Sequence, residues 1–231
     1  MGIQPRGEPQ CSDPVAHPGP LWGDLQKKTL VAREQGPDAR AAWQAAQHQL
    51  DPTQLLFLDE TGTSLSLVPL RAWAPRGKPA VGTAPTGHRR HHTLLSTLTP
   101  QGMGPALLIA GAADRAVFET FVEQLLLPVL RPGQTVVLDN VNVHHRARVR
   151  QLIEGAGCTL SFLPTYSPDF NPIELAFAKL KGQLRRAQAR TVAELETATT
   201  AALAAITAAD ARAFYQAAGY PLPDQLLCNP L

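Results

Sequence analysis

Two short apolar runs, Leu55-Leu56-Phe57-Leu58 and Val136-Val137-Leu138, each stop on an aspartate, Asp59 and Asp139. Unbroken runs of this length between turn residues predict buried strands. After a turn at Thr61-Gly62-Thr63, residues 64–73 predict a second strand, closed by Ala74-Pro75-Arg76-Gly77. Residues 93–98 and 102–109 predict a third and a fourth. The period then lengthens. Phe118, Phe121, Val122, Leu125 and Leu126 share one side of a helix that begins at Asp114 and stops at Pro132-Gly133. A strand over 135–139, a helix over 145–154 ended by Gly155 and Gly157, and a strand over 159–163 follow.

A proline-rich loop over 164–172 leads into a helix over 172–188, where Ile173, Phe177, Leu180 and Leu184 recur at helical spacing and must face a core. Thr191 with Glu194 has the capping-box pattern of a further helix, and Thr207 with Asp210 opens one more. Residues 1–24, rich in proline and glycine and without periodicity, read as a disordered extension. Residues 25–50 read as a helical arm, 51–218 as the main domain and 219–231 as a tail. This order predicts an α/β fold: an antiparallel meander, then parallel strands joined by right-handed helical crossovers, in one mixed sheet flanked by helices. Asp59 and Asp139 then sit on neighbouring central strands, and Glu174 faces both from a helix start. The arrangement resembles the ribonuclease H-like fold.

Composition narrows the function only by exclusion. Hydrophobic residues make up 44% of the 231 and charged residues 17%, so the chain can bury a real core. A formal net charge of +2 does not by itself argue for a nucleic-acid partner. Cys11, Cys158 and Cys228 are far apart and odd in number, which speaks against a disulfide framework or a zinc site and fits a reducing cytoplasm. No apolar stretch reaches the roughly 20 residues that span a bilayer, and the amino terminus lacks the apolar segment of a secretory signal.

The chemistry rests on Asp59, Asp139 and Glu174. Oxygen ligands delivered by two strand ends and a helix start suit hard divalent cations such as Mg²⁺, which is held by one or two carboxylates together with substrate phosphates. Each acid also has an ordinary reading. Asp59 precedes Glu60 and the expected turn, Asp139-Asn140 can simply begin a loop, and Glu174 stands where a capping-box glutamate belongs, behind Asn171 and Pro172. The stripe of Glu174, Ala178, Lys181 and Arg185 sets an acid at the helix start and bases along its length, as a phosphate backbone running past a metal requires; a solvated basic face is the other reading. Arg76 and Lys78, with the run His88-Arg89-Arg90-His91-His92, form the densest basic patch and are read as DNA-backbone contacts. Trp73 is expected to pack under the turn at Pro75-Arg76-Gly77, with stacking on a base as its other reading.

Leu58-Asp59-Glu60-Thr61-Gly62, Trp73-Ala74-Pro75-Arg76-Gly77, Leu138-Asp139-Asn140 with His144, and Tyr166-Ser167-Pro168-Asp169-Phe170-Asn171-Pro172-Ile173-Glu174 resemble the catalytic domain of bacterial insertion-sequence transposases of the mariner-type superfamily. The 34 residues between Asp139 and Glu174 match that family's interval. The resemblance implies an Asp-Asp-Glu transposase in which Asp59, Asp139 and Glu174 hold two Mg²⁺ ions, with Mn²⁺ as a substitute. It implies cleavage at transposon ends by water, then attack of the freed 3′-hydroxyl on target DNA. His144 matches the histidine that follows the second aspartate and is assigned to DNA contact. The implied partners are transposon inverted repeats, target DNA and a second copy of the chain in a homodimer, with a cytoplasmic, nucleoid-associated location and no membrane.

The stretch ahead of Asp59 is shorter than the family's helix-turn-helix region, with Lys27-Lys28-Thr29-Leu30 resembling its end. The chain is therefore expected to be a catalytic half, partnered by DNA-binding modules from an upstream frame, and alone to bind DNA weakly and without sequence preference. Two further readings stay open: a ribonuclease H-like nuclease without strand transfer, and an inactive truncated remnant that only binds DNA or a full-length partner.

Overall fold

The computed structural model describes residues 35–85, 91–139 and 147–223. Strand β1 (Leu55–Ser64) takes the middle of the sheet because its first four residues, Leu55 to Leu58, are apolar on both faces and all buried. On one side it pairs antiparallel with β2 (His91–Thr99), which pairs antiparallel with β3 (Gly102–Ala110). On the other it pairs parallel with β4 (Thr135–Leu138), which pairs parallel with β5 (Thr159–Phe162). The five-stranded order is β3-β2-β1-β4-β5. This is the mixed α/β sheet of a ribonuclease H-like fold, as the order of apolar runs predicts.

Alternation along the strands splits the core in two. Leu55, Phe57, Leu94, Leu98 and Val137 face helices α4 (Pro172–Ala187), α5 (Val192–Ala204) and α6 (Ala208–Ala217), burying Ile173, Phe177, Leu180, Leu184, Leu195 and Tyr215. Leu56, Leu58, Leu95, Val136 and Leu138 face α2 (Arg115–Phe121), its continuation through a π turn over Val122–Leu126, and α3 (Ala147–Gly155). The Asp114 carboxylate caps α2 by accepting from Val117 N at 2.8 Å. Both expected capping boxes, Thr191 with Glu194 and Thr207 with Asp210, are formed.

Two expectations between β1 and β2 are corrected. The turn at Thr61-Gly62-Thr63 does not form: β1 runs straight through it, with Gly62 opposite Thr93 and Thr63 opposite His92. An antiparallel neighbour overrides the local turn preference, and glycine is tolerated where it lies against a paired backbone. The strand over 64–73 is also absent: among the described residues after Ser64, none pairs until His91. Pro69 lacks the donor a ladder needs, and the Leu65 and Leu67 carbonyls are taken instead by the Arg190 guanidinium, each at 3.1 Å. Trp73 does not pack under its turn. It is fully exposed, as are Leu70 and Val81 in large part.

Helix α1 (Pro37–Gln47) lies on the helical layer of α4 to α6. Trp43 Nε1 donates to Tyr220 Oη at 3.1 Å, and Gln47 Nε2 donates to the Ala218 carbonyl at 2.7 Å. Tyr220 is itself buried, its ring 5.1 Å from that of Phe57. Tyr215 Oη donates to the carbonyls of Leu55 and Leu98, at 2.9 and 3.1 Å, joining α6 to the two central strands.

Candidate active site

The parallel register of β1 and β4 sets the first two acids side by side. Leu58 is paired with Leu138, so Asp59 and Asp139 directly follow the last residues paired between these two adjacent strands, whose backbones lie about 4.8 Å apart. Asp59 is not at the end of its own strand. It is where β1 loses its parallel partner while its antiparallel pairing, Asp59 with Ser96, continues. Being of the same parity as Leu55 and Phe57, Asp59 points to the face covered by α4; Glu60 points to the other.

The third acid arrives on the loop from β5 to α4. That loop bends through Tyr166, whose φ of 55° is left-handed and uncommon for a residue with a side chain, and through a tight turn at Pro168–Phe170. Asn171 is the N-cap residue of α4 and Pro172 fills the first helical position. The side chain of Asn171 makes no cap, however, and no capping box closes this helix. Its Nδ2 instead donates to Asp59 Oδ2 at 2.8 Å. Glu174 stands exposed in the first turn, where the helix N-terminus favours a negative charge. The capping reading of Glu174 is thereby replaced, and the Asn171 to Asp59 bond is a contact no local pattern predicts.

The electrostatics show that the acids feel one another. Burial pushes the Asp59 carboxyl up to about 7, and the charges of Glu174, Asp139 and Glu60 add to the rise, opposed by the Glu60 N–H, which donates to the carboxylate and favours its ionised form. That N–H donates to Asp59 Oδ1 at 2.7 Å. Glu60 is raised as well, by burial first and then by Asp139. A partly buried acid surrounded by acids is short of positive charge, and hard carboxylate oxygens are the donors that Mg²⁺ and Mn²⁺ take. The donor set fits such an ion. Among the described residues, Asp59, Asp139 and Glu174 included, no three acid, histidine or cysteine side chains stand gathered as a metal site.

The residues assigned to DNA are spread more widely. Arg76 and Lys78 are exposed on the segment after β1, held in a turn by Lys78 N donating to the Pro75 carbonyl at 3.0 Å. Lys181 and Arg185 are partly buried on α4, about 10 and 16 Å along the helix axis from Glu174 at 1.5 Å per residue. Lys179 does not join them, because it is paired with Asp210 at 2.6 Å. Of the histidine and arginine patch, His92 is buried as part of β2 and not in a solvated loop. Arg89, Arg90 and His144 lie outside the described residues. Among those described, no helix is long and apolar enough to cross a membrane.

The profile of the family described as DDE superfamily endonuclease matches residues 54–196. That span contains Asp59, Asp139 and Glu174. No curated protein matches the chain. Solved structures of similar fold include the Mos1 strand transfer complex, at a TM-score of 0.62 and 17% identity over 85% of this chain and 62% of that one. They include the mariner Mos1 paired end complex with Mg, at 0.65 and 17% over 85% and 65%. The isolated catalytic domain of Mos1 mariner transposase matches at 0.58 and 12% over 84% of this chain and 91% of that one. The chain thus spans less than two thirds of the longer Mos1 chains, and nearly all of the catalytic domain. With 17% identity or less, these likenesses show a shared fold, while the family assignment rests on the sequence itself. The chain belongs to the DDE superfamily endonucleases.

Proposed function

We propose that this chain is the catalytic domain of a transposase, which cuts DNA at transposon ends and joins the freed 3′-hydroxyl to target DNA. The observation that carries the reading is the Leu58 to Leu138 register, which puts Asp59 and Asp139 on adjacent strands, with Asp59 responding to the charges of both Asp139 and Glu174. Asp59, Asp139 and Glu174 would hold the divalent ions, Mg²⁺ or Mn²⁺. When bound, a pair of such ions activates an attacking oxygen and stabilises a leaving one in an in-line displacement.

The residues of the chain supply the remainder. Their carboxylates are matched to cations and unsuited to bare phosphate. Lys181 and Arg185 continue the α4 stripe beyond Glu174 and would neutralise phosphates there, while Arg76 and Lys78 offer exposed cations on a second segment. Because water and a 3′-hydroxyl are both oxygen nucleophiles attacking a phosphodiester, one set of acids serves cleavage and joining. The Mos1 structures of similar fold are a strand transfer complex and a paired-end complex with a transposon end, which supports DNA ends and a second copy of this chain as partners.

The deciding experiment incubates the chain with DNA carrying the inverted repeats that flank its gene, with Mg²⁺ or Mn²⁺ and a target plasmid. Cleaved and joined products that vanish with EDTA and in Asp139→Asn are the expected result. Cleavage that persists in Asp139→Asn overturns the assignment of the acids, and cleavage without joined product indicates a plain nuclease.

A further inference from the structure

We infer that Asn171 is a positioning residue for the first acid: its side-chain amide holds the Asp59 carboxylate in the setting from which the three acids close on a divalent cation. The inference rests on the proposed reading of Asp59, Asp139 and Glu174 as metal ligands.

Asparagine is among the preferred residues at a helix N-cap because its side-chain oxygen accepts from the first turn. Asn171 occupies that position and makes no such bond. Its amide reaches 112 residues back in sequence, and Nδ2 donates to Asp59 Oδ2 at 2.8 Å. Asp59 Oδ1 meanwhile accepts from Glu60 N at 2.7 Å. Each carboxylate oxygen is therefore oriented by one neutral N–H, and an ionised carboxylate accepts about four such interactions in all, which leaves lone pairs on both oxygens for a cation. A lysine or arginine in this place would neutralise the charge that a cation needs; an amide directs the carboxylate and leaves its charge intact.

A second observation points the same way. Asn171 is 4% exposed, yet its Oδ1 is buried with no hydrogen-bond partner. Buried acceptors are nearly always satisfied, and this one belongs to the same amide group that touches Asp59. Mg²⁺ characteristically keeps several of its waters, each a strong donor, so an unfilled acceptor beside a ligand carboxylate is suited to such a water. Because Asn171 also begins the helix that carries Glu174 three residues later, the single amide ties the first acid to the third.

Mn²⁺ binding to the full chain, followed by the loss of the free-ion electron paramagnetic resonance signal, separates the possibilities. Asn171→Ser keeps a good N-cap residue but is too short to reach Asp59, and Asn171→Ala keeps neither. Both are expected to bind Mn²⁺ about 10- to 100-fold more weakly than the unaltered chain, the range typical of losing an outer partner of a metal ligand, while circular dichroism reports a folded protein. Unaltered affinity in a folded Asn171→Ser variant overturns this inference alone. An unaltered chain that binds no more Mn²⁺ than Asp59→Asn overturns the reading of the acids as ligands, and this inference with it. Failure of both variants to fold overturns the inference too, since Asn171 would then serve the fold itself.

Discussion

Arg40 and Asp169, 129 residues apart, are joined by two parallel hydrogen bonds of 2.9 and 2.6 Å. The same guanidinium sits 4.4 Å over the ring of Phe170. Around it, Gln35 Nε2 donates to the Tyr166 carbonyl at 2.8 Å, and Tyr220 Oη donates to the Phe170 carbonyl at 2.9 Å. Helix α1 and the buried Tyr220 thus grip, from two sides, the loop that delivers Asn171 and Glu174. Bidentate pairing specifies geometry as well as adding energy.

Removing that grip is expected to loosen the loop without unfolding the sheet. Asp169 is more than half exposed, so solvent screens the ion pair, and the pair together with the cation–π contact amounts to about 1–2 kcal/mol. Arg40→Ala should lower the urea midpoint correspondingly, and Arg40→Lys, which cannot form the planar fork, should recover only part of it. The Arg40 guanidinium holds the Asp169 carboxyl below its usual range. The stability from this pair is therefore present above about pH 4 and lost as pH falls through the lowered value, a decline that Asp169→Asn should remove from an acid titration.

Asp59 behaves in the opposite sense. Its carboxyl is raised to about 7 in the folded chain, by burial first, against about 4 when unfolded. The folded chain then binds the proton more tightly, so the contribution of this group is complete below about pH 4 and is lost as pH rises to 7. Without divalent ions, thermal midpoints should fall as pH rises from about 4 to 7, and Asp59→Asn should flatten that slope. Adding Mn²⁺ at pH 8 should raise the midpoint of the unaltered chain, because a ligand that binds only the folded state stabilises it, and leave Asp59→Asn nearly unmoved.

Tyr215 offers a contrast, being central to stability and remote from the acids. Its hydroxyl is fully buried and shared between the carbonyls of Leu55 and Leu98. Tyr215→Phe leaves both without that donor and should destabilise the chain by about 1–3 kcal/mol, measured by denaturant unfolding. Mn²⁺ affinity at a temperature where the variant is folded should be unchanged.

The basic stripe of α4 predicts a salt effect. If Lys181 and Arg185 each neutralise one phosphate, the double change to alanine should reduce the slope of log affinity against log salt by about 2, irrespective of DNA sequence. Lys179→Ala should lack this effect, because that lysine is engaged with Asp210, and should instead cost a little stability.

Local pattern made much of this protein legible. The apolar runs that become β1, β4 and β5, the heptad-like recurrence of Ile173, Phe177, Leu180 and Leu184, and the two threonine capping boxes depend on residues within a few positions of one another. The candidates Asp59 and Asp139, each closing an apolar run, and Glu174, at a helix start, are likewise visible without their neighbours in space. The errors at Thr61-Gly62-Thr63 and over 64–73 came from the same source: a turn preference was read locally, while β2, some 30 residues away, supplied the pairing that overrode it.

What only the tertiary structure decided is which partner each group meets. The sequence determined that two apolar runs stop on aspartates and that a helix starts at Pro172. It could not determine that Leu58 pairs with Leu138, that Asn171 gives up its cap for Asp59, or that Arg40 closes on Asp169. Propensities and caps are settled by the chain's nearest neighbours, whereas register, face and side-chain partner are settled by packing between segments far apart in sequence, about 80 to 130 residues in these three pairs, where local pattern carries no information.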